Sequence, residues 1–315
     1  MLWLLVILIG ACNSASLPPI PPETGPNAVV THPGEPAAEP ILGQIRLISD
    51  AYGKYQCYLP STLTSGSDIL VLVHGTPDEQ EKADTTARYY VENWIEFSEE
   101  HDLILIAPAF DQINFSSKDG QQALGGYRSL FGRHVGADQF MLNIVQDVQH
   151  RYGLTGGRFY LYGHSAGGQF VARFIVTHPE HVKGAVITAA AIYPQPDPDI
   201  AWPYGLGPLD TTLVWHNPEV ATPVTITPNR ATWLEATTLP VTVIVGLNDL
   251  EHQPDRTGQK GNNRVVIARN WVRDMNAFAA EHGVESRLRL WLIPKLGHSS
   301  YGLLPHSQAA LSSSL

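Results

Sequence analysis

Two cysteines, Cys12 and Cys57, are all that a chain of 315 residues carries, so no disulfide framework holds it and stability has to come from a buried core. Basic residues are also scarce: 20 Lys and Arg stand against 30 Asp and Glu, a formal net charge of −10. Binding nucleic acid requires clustered Lys and Arg to neutralise phosphates, and the sequence has no such cluster, which argues against that class of partner. Long apolar runs are missing beyond the N-terminus, and the run over residues 1–11 falls short of the about 20 residues that span a bilayer. Metal-ligand spacing is absent too. His178-Pro179-Glu180-His181 lacks the helical two-histidine spacing of zinc peptidases, and no phosphate-cradling glycine loop occurs, so no metal and no cofactor is expected.

What is present divides the chain into three parts. Residues 1–11 read as the core of a signal peptide, and Ile9-Gly10-Ala11-Cys12 resembles the lipobox of bacterial lipoproteins. That resemblance implies cleavage before Cys12, lipidation of its thiol, and a place in the bacterial envelope, anchored to a membrane or secreted. Residues 12–40 are rich in proline and small residues with no Lys or Arg, a composition that stays extended and serves as a tether. Residues 41–315 are expected to form one domain, because 43% apolar residues in a chain of this length build a single sizeable core. Cys57 alternates with tyrosines in a strand-like run and reads as a small core filler.

Within that domain, short aliphatic runs alternate with longer helical patterns, the signature of a mostly parallel sheet covered on both faces. Residues 44–49 and 54–60 predict an antiparallel hairpin. Strands are expected over 68–75, 103–108, 158–162, 182–190, 241–246 and 287–294. Helices are expected over 85–100, 137–152 and 264–282, with Phe140, Ile144 and Val148 forming one apolar stripe of the second.

Gly163-His164-Ser165-Ala166-Gly167 carries the chemistry. It joins the apolar strand Arg158-Phe159-Tyr160-Leu161-Tyr162 directly to a helical stretch, so Ser165 has to sit on a turn too tight for side chains at its flanking glycines. Such a serine adopts a positive φ, and the strain lifts its hydroxyl clear of the sheet edge. On this elbow and the order of elements around it, the chain resembles the α/β-hydrolase superfamily over roughly residues 41–305. The resemblance implies a mostly parallel eight-stranded sheet with helices on both faces and a small irregular cap insert at 194–239. His74-Gly75, the elbow and Trp202-Pro203-Tyr204-Gly205 are further similar to bacterial polyester-depolymerase and feruloyl-esterase types.

A serine hydroxyl needs a base to take its proton and a third group to orient that base. The family order of serine, acid and histidine points to Asp249, in the turn after Val245-Gly246-Leu247, and to His298, after Pro294-Lys295-Leu296-Gly297. Glu251 and Asp255 are alternatives for the acid on the same loop, and His306 and His164 are competing histidines, the latter expected to pack beside the site. The resemblance places the oxyanion donors at the backbone N–H groups of Thr76 and Ala166; Pro77 cannot donate. In the insert, Trp202, Tyr204 and Trp215 form either an apolar acyl or aryl pocket or the packing of an irregular cap. Arg256 and Arg264, beside Gly258 and Gly261, lie on a loop that either reads a carboxylate or is merely solvated. The expected function is a serine hydrolase of small or polymeric carboxylic esters. Thioesterase or amidase chemistry, or a noncatalytic envelope protein that binds a ligand, are the alternatives.

Overall fold

A computed structural model describes residues 41–77, 83–115, 125–214, 221–254 and 258–315. The signal peptide, Cys12 and the tether lie outside the described residues, as do Trp215, Asp255 and Arg256. The elements in order are β1 (Ile45–Ser49), β2 (Lys54–Tyr58), β3 (Asp68–Val73), α1 (Ala83–His101), β4 (Leu103–Ala109), α2 (Ala137–Tyr152), β5 (Phe159–His164) and α3 (Ala166–Thr177). Then follow β6 (Val182–Thr188), β7 (Leu209–Val214), β8 (Ala221–Ile226), α4 (Arg230–Thr238), β9 (Val241–Gly246), α5 (Arg264–Glu281), β10 (Arg289–Ile293) and α6 (Ser300–Ser312).

One eight-stranded sheet runs in the order β1-β2-β4-β3-β5-β6-β9-β10. β2 pairs antiparallel with both β1 and β4, and the remaining pairs are parallel, as crossover connections through helices require. Strand alternation divides the apolar residues between two layers. Ile69, Val71 and Val73 of β3 pack with residues of α2, α3, α4 and α5, whereas Leu70 and Leu72 pack with residues of α1 and α6. Burial on both faces explains why β3 reads as a continuous aliphatic run. Cys57 is buried among these side chains, and burial pushes its thiol pKa up to about 12, which fits a filler and not a nucleophile.

Two departures from the sequence reading stand out. The segment around His306, where the sequence reading places no element, is helix α6, which packs against β6 and β9 and buries Leu303 and Leu311. Its serines and the internal Pro305 mask the apolar face, while the Ser299 hydroxyl caps its start by accepting the Gly302 N–H. The insert is also more ordered than an irregular cap. Strands β7 and β8 form their own hairpin, and α4 joins the helical layer against α3 and α5, with Trp233 fully buried.

Candidate active site

The elbow has the strain its glycines imply. Ser165 sits at φ 55°, ψ −112°, a conformation that costs a residue with a Cβ about 1–3 kcal/mol. A Cβ on Gly163 would lie 2.3 Å from the Gly167 carbonyl oxygen, and one on Gly167 would lie 2.0 Å from that of Val73. Neither position admits a side chain without displacing backbone. The Ser165 N–H donates to the Thr188 carbonyl at 2.8 Å, tying the turn to the end of β6.

The ends of β9 and β10 bring the remaining groups to this serine. His298 Nε2 lies 3.1 Å from Ser165 Oγ, and its Nδ1 lies 2.8 Å from Asp249 Oδ2. The carboxylate fixes the tautomer: Nδ1–H donates to it, leaving Nε2 to accept the serine proton. The loops that carry Asp249 and His298 are stitched together, with the N–H groups of Leu247 and Asn248 donating to the carbonyls of Ile293 and Leu296. Gly246 allows this closeness, since a Cβ there would meet the Leu296 oxygen at 2.3 Å.

Asp249 is only 2% exposed. Burial by itself raises a carboxyl pKa, but hydrogen bonds and charge from His298 and Arg264 outweigh that and hold Asp249 below the usual carboxylate value. Arg264 was expected either to read a carboxylate or to be solvated. Its Nη1 donates to Asp249 Oδ1 and to Glu251 Oε2, both at 2.9 Å, so the carboxylates it reads belong to the chain itself. Glu251, largely exposed, pairs with the arginine from the solvent side and makes no hydrogen bond with His298 among the described residues. The role of Arg264 as a brace for Asp249 was not legible from spacing, because the two meet only through the loop between β9 and α5.

Two more histidines support the arrangement while remaining neutral. His164 is buried, its Nδ1–H donates to Thr188 Oγ1 at 2.9 Å, and burial lowers its pKa to about 3. His74 is fully buried. Its Nδ1 faces the Gly75 carbonyl at 2.6 Å and its Nε2 accepts the Phe110 N–H at 3.1 Å, a pairing only the neutral ring can make. Burial lowers its pKa to about 4, and its contacts pin the loop that leads to Thr76.

Thr76, Ser165 and Ala166 all line one cleft of about 300 Å³. Ala166 opens α3, where an N–H has no intrahelical acceptor and the helix dipole favours negative charge. The cleft wall differs from the apolar pocket that was one of the two readings of the insert aromatics. It is built largely from Arg128, Ser129, Gln169, Arg173, Gln253 and Arg264, with Ile192 and Tyr204 as apolar contributions. Of the insert aromatics, Tyr204 lines the cleft and Trp202 is buried in the core, where it packs with Leu206 and the layer behind α3. Gln169 and Arg173 were missed, although their i+3 and i+7 spacing from Ala166 on α3 was there to be read.

This arrangement defines an α/β-hydrolase fold with a serine, histidine and carboxylate at the carboxyl edge of its sheet. The family profile described as serine aminopeptidase, S33, matches residues 131–230, the stretch that holds the elbow. Among solved structures, the chain is similar to LpqC, a poly(3-hydroxybutyrate) depolymerase from Bordetella parapertussis, with 18% identity and a TM-score of 0.64 over 83% of this chain and 84% of that one. It is similar to poly(aspartic acid) hydrolase-1 from Sphingomonas sp. KT-1, with 24% identity and a TM-score of 0.64 over 84% and 97%. An S-formylglutathione hydrolase from Agrobacterium tumefaciens shares the fold at 12% identity and a TM-score of 0.52 over 86% and 93%. No curated protein sequence matches the chain.

Proposed function

We propose that the protein is a serine hydrolase of carboxylic esters. The observation that supports this is the hydrogen-bonded run from Ser165 Oγ through both nitrogens of His298 to a buried Asp249. In the reading offered, His298 Nε2 takes the Ser165 proton as Oγ attacks the acyl carbon, and the N–H groups of Thr76 and Ala166 hold the oxyanion. Collapse of the tetrahedral intermediate breaks the ester bond, and His298 returns the proton to the departing alcohol. Water then attacks the acyl-enzyme with His298 as base, releasing the carboxylic acid and free Ser165. Asp249 stays ionised throughout, braced by Arg264, and stabilises the imidazolium.

Amide cleavage is the second reading, favoured by the serine aminopeptidase profile and by the name of the poly(aspartic acid) hydrolase. The acyl-enzyme step is common to both. Reaction with a fluorophosphonate, followed by hydrolysis of p-nitrophenyl esters and matched anilides, separates the possibilities. Labelling that is lost in Ser165→Ala, with ester turnover, supports the esterase; turnover of anilides at a comparable rate favours the amidase. No label on the folded protein means that Ser165 is not a nucleophile and a ligand-binding role stands. The sequence around Cys12 supports export and lipid anchoring, which the mass of the mature N-terminus tests.

A further inference from the structure

Helix α3 brings a second charged group to the cleft. Ala166, Gln169 and Arg173 recur at helical spacing along the wall, and side chains on a helix lean toward its N-terminus. The Arg173 guanidinium is thereby carried back toward Ser165. The residue is 1% exposed, the groups it bonds are neutral carbonyls, and the Arg128 side chain is a nearby like charge. Nε donates to the Pro203 carbonyl at 2.8 Å, and Nη1 donates to the carbonyls of Arg128 and Gln169 at 3.0 and 3.1 Å. The ring of Tyr204 lies 6.0 Å from its central carbon. Among the described residues no carboxylate pairs with Arg173, and Nη2 has no hydrogen-bond partner. Burial lowers its pKa to about 10, so it remains a cation at neutral pH.

Arg264 on the same wall shows the contrast in charge, since its Nη1 already pairs with two carboxylates of the chain, although its buried Nε has no hydrogen-bond partner among the described residues. A cation removed from water without a counter-charge is costly, and a guanidinium held rigid by carbonyls on two of its nitrogens presents the third to whatever enters. The cleft that Arg173 lines is also the one that contains Ser165 and both oxyanion donors. We propose that Arg173 binds a carboxylate of the substrate, so that the protein cleaves esters whose acyl or alcohol portion carries a single negative charge. One buried cation with no carboxylate among the described residues matches a monoanion, and Gln169 and Gln253 line the same cleft. The proposal rests on Ser165 being a nucleophile.

The test compares two matched pairs on the full chain. p-Nitrophenyl monoglutarate against p-nitrophenyl pentanoate places the charge on the acyl side, and 4-acetoxyphenylacetate against its methylamide places it on the alcohol side. The expected result is about a tenfold or greater preference in kcat/KM for the anionic member of one pair, the size of a charge-assisted hydrogen bond. That ratio collapses toward one in Arg173→Gln and is partly restored in Arg173→Lys. Should the variants not fold, the unaltered protein still decides, because glutarate must slow fluorophosphonate labelling of Ser165 where glutaramide does not. Labelling with no anionic preference in either pair, or no protection by glutarate, overturns the carboxylate site alone. Failure of Ser165 to label at all overturns the hydrolase reading, and the substrate assignment falls with it.

Discussion

His164 and His298 lie with ring centroids 4.9 Å apart and differ in almost everything else. His164 is 6% exposed, donates a hydrogen bond to Thr188 Oγ1, and is held neutral first by burial and then by the neighbouring His298 charge. His298 has a third of its side chain open to solvent, a buried carboxylate behind it and a serine in front. The same side chain is therefore structural in one place and poised for proton transfer in the other, and the surroundings decide which. The difference is also cooperative. An imidazolium forming on His298 would be opposed by a charged ring at that distance, and a neutral His164 removes the opposition.

The contrast breaks most severely at His298. His298→Ala should reduce kcat by about 10⁶-fold, as loss of the base does in serine hydrolases, and steady-state ester hydrolysis reads it directly. Asp249→Asn is expected to cost about 10⁴-fold, because the wrong tautomer of His298 then faces Ser165. Arg264→Met should cost about tenfold in kcat/KM, roughly the worth of one charge-assisted hydrogen bond. It should also move the acid limb of the rate profile to higher pH, since Arg264 helps hold the Asp249 pKa down; Arg264→Lys should recover part of both effects.

Smaller effects concern stability. His74 and His164 have folded pKa values near 4 and 3, below the ordinary histidine value, so unfolding takes up protons. The stability they supply is complete above pH about 6.5 and is lost as the pH falls toward those folded values. Each ring contributes at most about 3 kcal/mol to that loss, measurable by denaturant titration from pH 7 to pH 4. His164→Phe should flatten part of this acid slope and destabilise the protein at pH 7 by about 1 kcal/mol through the lost bond to Thr188, while ester hydrolysis persists. If hydrolysis collapsed instead, the division of labour between the two rings would be wrong.

Much of this is legible in the sequence alone. Gly163 and Gly167 announce the elbow because backbone passes where their side chains would be. Asp249 and His298 stand out because each ends an aliphatic strand in a parallel sheet, which puts them on one edge. The same logic does not reach Arg264 or Arg173. Arg264 was read as a loop residue because its partners, Asp249 and Glu251, approach it only after β9 and α5 have packed. Arg173 lies in an apolar helix, where a lone arginine signals a buried polar task without saying which. Helix α6 escaped notice because Pro305 and its serines dilute its apolar periodicity, and α4 because its weak pattern gains its meaning only from Trp233 docking behind α3.

The contact of Gly167 with the last residue of β3 has an engineering corollary. Main chain rests on main chain there, so the strand that leads to Thr76 and the helix that begins at Ala166 are spaced by atoms common to every amino acid. No substitution on the cleft wall adjusts that distance. Selectivity can thus be redrawn at Gln169, Arg173 or Tyr204 with the two amides left as an unchanging gauge, a separation that favours this scaffold for altering substrate preference without rebuilding the reaction centre.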